Sequence, residues 1–186
     1  GVVNNDDIVP LSHANIPNIN YGFAATLNIK RFSLSAFFEG IGEVQYFLGG
    51  SGYYPYAWEA RGNLLTIAAD PANRWISKEY AQQQGMDPAL AENTNARFPR
   101  LTYGNNANNN QSSTFWLANG RYIRLKNVQI DYRLPEHWVR PAGIKSASLS
   151  FVGDNLHVWD KVKLWDPGQA SSNGGVYPLQ RMYTMQ

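Results

Sequence analysis

The sequence has 186 residues and a formal net charge of +2; 16% of its residues are charged and 13% are aromatic. Soluble domains carry about 25% charged residues, so this composition favours aromatic-rich β structure with polar loops over an ordinary soluble domain. The small net charge, with lysines and arginines dispersed along the chain, excludes a typical nucleic-acid-binding surface. The lack of cysteine excludes disulfides and cysteine-ligated zinc.

No run of residues is long and apolar enough for a transmembrane helix, and the first residues lack the basic and apolar order of a signal peptide. A membrane protein with this sequence would therefore have to cross the bilayer with β-strands. Because Gly1 is not an initiator methionine and the chain stops at Gln186 within a strand-like pattern, we expect it to be cut at both ends.

The first predicted element is a β-hairpin. Apolar side chains occupy every odd position of residues 19–29, which predicts a strand long enough to cross a bilayer. Lys30 and Arg31 form a very short connection, and the alternation resumes over residues 32–42.

A long loop is predicted at residues 43–113, where the alternation disappears. This range contains an aromatic cluster, a predicted short helix around 74–84 and an Asn-rich tract at 105–110. A structureless connection of this length is hard to place inside a compact soluble domain. It is normal outside a membrane barrel.

Three further strands are predicted near residues 121–134, 145–155 and 177–186, with a short connection at 135–143 and a long loop at 157–176. Outer-membrane barrels show the same alternation, with short periplasmic turns and long external loops. Alternating strands also occur in soluble β-sandwiches. The pattern alone therefore leaves open a soluble carbohydrate-binding β-sandwich module without transport activity.

The segment from Ser112 to Pro135 resembles the signature near the end of SusC/RagA-type TonB-dependent transporters. Further family elements flank it in the family's order: residues 74–75 and 93–101 upstream, and 153–156, 165–167 and 177–178 downstream. The resemblance thus covers essentially the whole chain. The family-motif residues within the segment are Phe115, Trp116, Leu117, Tyr122, Arg124, Leu125, Lys126, Asn127, Tyr132, Leu134 and Pro135.

This resemblance implies an all-β fold, an antiparallel transmembrane β-barrel segment with long extracellular loops. Residues 1–186 would form about the last five strands of a barrel of about 22 strands. The protein that the resemblance implies lies in the outer membrane of a Gram-negative bacterium of the Bacteroidota, in contact with outer-membrane lipid. In such a barrel, period-two alternation predicts that Tyr21, Phe23, Leu27, Val128, Ile130 and Tyr132 face lipid while Asn20, Thr26, Asn127, Gln129 and Arg133 face the lumen.

The resemblance also implies a function, the import of oligosaccharides or peptides, and leaves open which of the two is taken up. The implied partners are a SusD-like lipoprotein that acts as a lid, the plug domain of the same barrel, and TonB, which would act through an N-terminal part that this sequence lacks. No enzymatic activity and no cofactor are implied.

Aromatic side chains in the loops are the candidate contacts with substrate or lid, because flat rings with polar tips stack on sugars and grip peptides. The alternative is that they pack the loops or form an aromatic girdle. These candidates are Tyr53, Tyr54, Tyr56, Trp58 and Trp75 in the first long loop, and Trp159 and Trp165 in the second.

No catalytic or metal-binding motif is predicted. The three histidines lie far apart in sequence and lack the spacing of a helical metal pair. One acidic stretch could bind calcium or a sugar hydroxyl, but its spacing fits no known ligand pattern. For Arg121, Arg124 and Lys126 of the motif segment, structural ion pairs are the expected role. The acidic stretch contains Asp154, His157, Asp160 and Asp166.

Overall fold

The structure, a computed structural model, describes residues 5–11, 15–57 and 64–186. Within these residues it is mainly antiparallel β-sheet, as predicted. The strands are β1 (Ile19–Ile29), β2 (Phe32–Gly42), β3 (Gln45–Phe47), β4 (Leu117–Asn119), β5 (Tyr122–Arg133), β6 (Ser148–Asp160) and β7 (Met182–Met185). The helices are α1 (Thr66–Ala69), α2 (Lys78–Gln83) and α3 (Glu136–Val139), and six 3-10 turns cover Asn5–Asp7, Pro71–Asn73, Pro88–Leu90, Thr114–Trp116, Arg140–Ala142 and Pro167–Gln169.

The long strands form one five-stranded sheet in the order β1-β2-β5-β6-β7, and β3 pairs with β4 in a separate ribbon. The observed β1 and β2 have the predicted bounds, and β5 differs from its predicted range by one residue at each end. The last strand is shorter than the predicted 177–186. None of the helices in the described part of the chain is long and apolar enough to span a membrane.

A β-bulge between β5 and β6 explains why β6 is longer than predicted. Leu125 pairs with His157, but Asn127 pairs with Asp154, so two residues of β6 oppose one residue of β5. Asn155, within this bulge, has a positive φ of 53°. The sequence alternation breaks at the bulge although the backbone pairing continues, which is why the pattern predicted an end near residue 155.

One face of the sheet is apolar. Leu27 of β1 pairs with Leu34 of β2. Leu34 also pairs with Ile130 of β5, which pairs with Phe151 of β6. Directly opposed residues point to the same side of a sheet, so these side chains form a row across four strands. We call this side the apolar face; it remains solvent-accessible in the described chain, with Ile130 42% exposed and Leu27 55% exposed.

The other side, which we call the polar face, carries hydroxyl, amide and charged groups. Ser33 of β2 pairs with Asp131 of β5, and Asp131 pairs with Ser150 of β6. The two predicted sets of side chains therefore separate onto opposite faces. The register places Tyr21, Phe23, Leu27, Val128, Ile130 and Tyr132 on the apolar face, and Asn20, Thr26, Asn127, Gln129 and Arg133 on the polar face.

A tyrosine on the apolar face ties β1 to β5 across β2. The Tyr21 hydroxyl donates a hydrogen bond to the Tyr122 carbonyl oxygen at 3.0 Å. The Tyr21 side chain can make this crossing because Gly40, its partner on β2, has no side chain. A Cβ added at Gly40 would clash with the Tyr21 ring and lie 2.5 Å from the Tyr122 carbonyl oxygen.

We expect Gly40→Ala to destabilise the folded protein by about 1–3 kcal/mol, because either the Tyr21 ring or the backbone must move. The measurement is the unfolding midpoint of the protein in denaturant. Gly42→Ala is the matched control, since a Cβ there would approach Ile19 no closer than 3.5 Å, an ordinary contact. Equal midpoints for the two variants would contradict the role of Gly40.

The chain divides into two compact units. The strand unit comprises residues 1–46, 118–170 and 177–186, and the loop unit comprises residues 47–117 and 171–176. Most of the predicted first long loop is therefore a folded body with helices and a core of its own. The predicted helix around 74–84 is present there as α2.

The loop unit is built from two segments that are far apart in sequence. The Gly49 amide donates to the Ser172 carbonyl oxygen at 2.8 Å. A Cβ added at Gly52 would lie 2.9 Å from the Asn173 carbonyl oxygen, so the two backbones approach too closely there for a larger residue. The short segment 171–176 is thus packed against a glycine-rich part of the long one.

Candidate functional site

A buried arginine on the polar face joins two family elements. The Arg124 side chain, on β5, is only 3% exposed, and its Nη2 lies 2.5 Å from Asp166 Oδ1. Its guanidinium also lies 5.4 Å from the centre of the Tyr122 ring. Asp166 additionally accepts a hydrogen bond from the Gly168 amide at 2.9 Å. The contact joins the Arg of one family element to the Asp of another, 42 residues further along the chain.

A second acidic residue extends this contact into a network. Lys126 Nζ lies 3.1 Å from Glu39 Oε1, and Arg124 Nε lies 3.6 Å from the same oxygen. We call Glu39, Arg124, Lys126 and Asp166 the ion network. The expectation that Arg124 and Lys126 form structural pairs is confirmed, whereas Arg121 makes no ion pair within the described residues. Sequence reasoning missed Glu39, although it is the sole charged residue of β2.

The acidic stretch near the second loop does not form a metal site. Asp154 accepts a hydrogen bond from Asn127 at 2.9 Å, Asp160 accepts one from the Lys163 amide at 2.7 Å, and Asp166 belongs to the ion network. In residues 5–11, 15–57 and 64–186, no group of three or more His, Cys, Asp or Glu side chains is placed to hold a metal ion.

Tyr53, a predicted contact residue, lies in the core of the loop unit. It is 2% exposed, and its ring centre lies 5.4 Å from that of Phe98 and 5.8 Å from that of Trp116. Phe98 and Trp116 belong to two of the family elements and are equally buried. These motif residues therefore belong to the core of the loop unit. Because Tyr53 packs against them, it presents no surface to a ligand in this conformation.

The neighbouring tyrosines are partly accessible. The Tyr54 ring centre lies 5.0 Å from that of Trp116, and the Tyr54 hydroxyl donates to the Asn110 carbonyl oxygen at 3.2 Å. Burial, followed by the nearby Tyr53, raises the pKa of Tyr54 above its ordinary value, so its phenol stays protonated as a donor. Tyr56 lies 6.3 Å from the exposed ring of Tyr103. The predicted contact Trp58 lies outside the described residues.

Trp75 lines a groove of about 290 Å³ in the loop unit. Tyr80, 41% exposed, and Arg100 also line this groove, which we call the loop groove. Arg100 makes no hydrogen bond or ion pair with any described residue, so its guanidinium is available to a ligand. Sequence reasoning missed Tyr80 and Arg100, because only folding brings them beside Trp75.

Arg74, next to Trp75, also lines the loop groove but has a structural role. Its Nη1 donates to the Ala68 carbonyl oxygen at 3.3 Å. The Trp75 amide donates to the Phe98 carbonyl oxygen at 2.9 Å, which holds the Arg-Trp element beside the other upstream element. A salt bridge of 2.9 Å between Lys78 and Glu92 adds a surface contact and raises the pKa of Lys78.

The two tryptophans predicted in the second long loop belong to the strand unit. Trp159 lies on β6, on the apolar face, 46% exposed and 6.5 Å from the Phe38 ring. Trp165 is partly buried beside Asp166 of the ion network. The described aromatic residues therefore do not share one site: Tyr53 lies in a core, Trp75 in the loop groove and Trp159 on the apolar face.

No protein-family model matches this sequence. The sequence is similar to TonB-dependent receptor P26 of Formosa agariphila, with 27% identity over 198 residues that cover all of this chain and 18% of the relative. It is also similar to TonB-dependent receptor P3 of the same organism, with 26% identity over 182 residues, 91% of this chain and 16% of the relative. The chain thus spans less than a fifth of these relatives.

Solved structures share the fold. The RagAB peptide importer in its open-open state superposes with a TM-score of 0.66 and 24% identity, over 99% of this chain and 18% of that one. The RagAB peptide transporter gives a TM-score of 0.69 and 22% identity over the same shares. These relatives are named as receptors and transporters. In sequence the chain is similar to a segment of TonB-dependent receptors, and in fold it is similar to a segment of the RagAB transporter.

Proposed function

We propose that the chain forms part of the wall and the external loops of an outer-membrane nutrient importer, near the C-terminal end of a barrel of about 22 strands. The observation that carries the proposal is the continuous apolar face. Its rows cross the sheet in register, whereas the opposite face holds the ion network. A water-filled lumen on one side and lipid on the other require this division.

The order of side chains along the apolar face supports the same assignment. Tyr21 and Trp159 lie towards one end of the strands. Phe32 and Tyr132 lie towards the other end, and the centres of these two rings are 4.6 Å apart. Between these ends the face is apolar and carries both aliphatic side chains, such as Ile130, and phenylalanines, such as the stacked Phe23 and Phe38. Transmembrane barrels show the same arrangement, an apolar band between two aromatic girdles.

The connections are also unequal at the two ends of the sheet. Lys30 and Arg31 alone link β1 to β2, with Lys30 at a positive φ of 54°. The connection from β2 to β5 leaves and re-enters the sheet at the other end of these strands, and its sequence includes most of the loop unit. We assign the loop unit to the outside of the cell, since long loops of outer-membrane barrels lie there.

In this importer the loop unit contacts substrate or a SusD-like lipoprotein lid, through the loop groove and the partly accessible rings of Tyr54 and Tyr56. The substrate is an oligosaccharide or a peptide, because aromatic rings and amides recognise both. The name of the RagAB peptide importer supports the peptide alternative. Transport itself requires a plug domain and TonB acting through other parts of the receptor.

Arginine substitution on the two faces tests the proposal. Ile130→Arg places a charge on the apolar face and is expected to cost about 2–4 kcal/mol near the middle of the membrane, which lowers the amount of assembled receptor. Gln129→Arg, at the adjacent position on the polar face, is the matched control and should assemble normally. The measurement is heat-modifiable migration of the full receptor in outer-membrane fractions.

The alternative, a soluble carbohydrate-binding β-sandwich, gives a different result. In that case both arginine variants would fold without detergent, and neither would be found in the membrane fraction. Normal assembly of Ile130→Arg together with failure of Gln129→Arg would show that the faces are assigned the wrong way round.

A further inference from the structure

A second groove lies at the long-loop end of the apolar face, within the strand unit. Its volume is about 580 Å³, and we call it the rim groove. Tyr21 and Trp159 contribute its aromatic rings, and Arg121, Lys161 and Lys163 contribute its cations. The rim groove is therefore apolar on the side of the strands and basic beyond their ends.

The groove exists because β2 has no side chains at two successive positions of the apolar face. Gly40 pairs with Tyr21, and Gly42 pairs with Ile19. The Tyr21 ring crosses Gly40, whereas Gly42 has only the Ile19 side chain at ordinary contact distance and lines the groove. A linear apolar chain fits the rim groove, which is open to the surroundings of the apolar face.

Three cations line the groove beyond the ends of the strands. The side chains of Arg121, Lys161 and Lys163 are exposed and form no ion pair within the described residues. Asp160 is the one carboxylate that lines the groove, and it accepts a hydrogen bond from the Lys163 backbone amide. The rim groove thus carries a net positive charge that a ligand can neutralise.

We propose that the rim groove binds a phosphorylated lipid of the outer leaflet, and this inference rests on the proposed function. The phosphate contacts Arg121, Lys161 and Lys163, because guanidinium and ammonium groups form charge-assisted hydrogen bonds with phosphate oxygens. An acyl chain lies along Gly42 and the rings of Tyr21 and Trp159. Charge complementarity and the adjoining apolar face select a phosphorylated lipid over a soluble anion.

The test uses the full receptor, purified in mild detergent and stripped of lipid. The probes are lipid A that carries a phosphate, the same lipid after phosphatase treatment, and inorganic phosphate. The variant R121Q/K161Q/K163Q should bind phosphorylated lipid A at least about tenfold more weakly than the unchanged receptor. The matched control R31Q/R140Q/K145Q loses the same charge at the short-turn end and should bind it normally.

A second variant tests the apolar part of the rim groove separately from its three cations. Gly42→Val fills the apolar part of the rim groove and keeps all three cations, so it should weaken the binding of lipid A without changing the binding of inorganic phosphate. The proposal is overturned if R121Q/K161Q/K163Q binds lipid A like the unchanged receptor, if dephosphorylated lipid binds equally well, or if Gly42→Val has no effect. Heat-modifiable migration from outer-membrane fractions is measured in parallel. A receptor absent from those fractions contradicts the proposed function, whereas an assembled receptor without lipid selectivity contradicts this inference alone.

Discussion

Arg124→Met is expected to destabilise the receptor by about 3–5 kcal/mol, because it leaves the buried carboxylate of Asp166 without its cation. The Arg124 side chain is 3% exposed and that of Asp166 is 12% exposed, so water can hydrate the orphaned charge only poorly. Glu39 loses its contact with Arg124 as well but keeps Lys126. The measurement is the denaturant midpoint of the full receptor in detergent.

Two variants control for the loss of the side chain itself. Arg121→Met removes an exposed arginine without an ion pair in the described chain and should leave the midpoint unchanged within about 0.5 kcal/mol. The double variant R124M/D166N removes both charges and should recover part of the stability, because no isolated buried charge remains. A midpoint for Arg124→Met equal to that of Arg121→Met would show that the ion network does not stabilise the fold.

A receptor in which a short Gly-Ser turn replaces residues 49–116 is expected to assemble but to lose at least about nine-tenths of its uptake. Assembly should persist because β3 and β4 pair directly and bring the ends of the deletion together. Uptake should fall because long ordered external loops are usually functional. Heat-modifiable migration reports assembly, and ligand-dependent growth reports uptake.

Phe98→Ala tests the same idea without shortening the chain. Phe98 is fully buried in the loop unit, and its truncation should cost about 3–5 kcal/mol of the stability of that unit. We expect this variant to lose uptake as well while it still assembles. Normal growth of both variants would contradict the role assigned to the loop unit, and failed assembly of the deletion would mean that the loop unit is structural.

Period-two alternation was sufficient to predict β1, β2 and β5 and the two faces. It gave the bounds of β1 and β2 and the separation of Ile130 from Gln129, because an apolar face tolerates no slip of one residue. The pattern failed at Lys126, where the bulge changes which positions share a face. A bulge arises from backbone pairing between two strands, and the sequence of either strand alone does not encode it.

Contacts between distant residues were beyond sequence reasoning. Glu39 and Lys126 are 87 positions apart, and nothing in the spacing of either motif indicates the pair. The same holds for the loop groove, where Tyr80 and Arg100 lie on different elements of the loop unit. The aromatic cluster was recognised, but an aromatic residue in a core and one on a surface look alike in a sequence, as Tyr53 illustrates.

The loop unit consists of two separate segments of the chain, and this restricts how its specificity can change during evolution. Gly49 and Gly52 contact residues 172 and 173, so each segment has a shape that suits the other. Recombination that exchanged residues 47–117 alone between two receptors would combine the long segment of one receptor with residues 171–176 of the other, and the two would not fit. Homologous receptors that diverge in ligand preference should therefore change both segments together, while the strands between them in the sequence can stay constant.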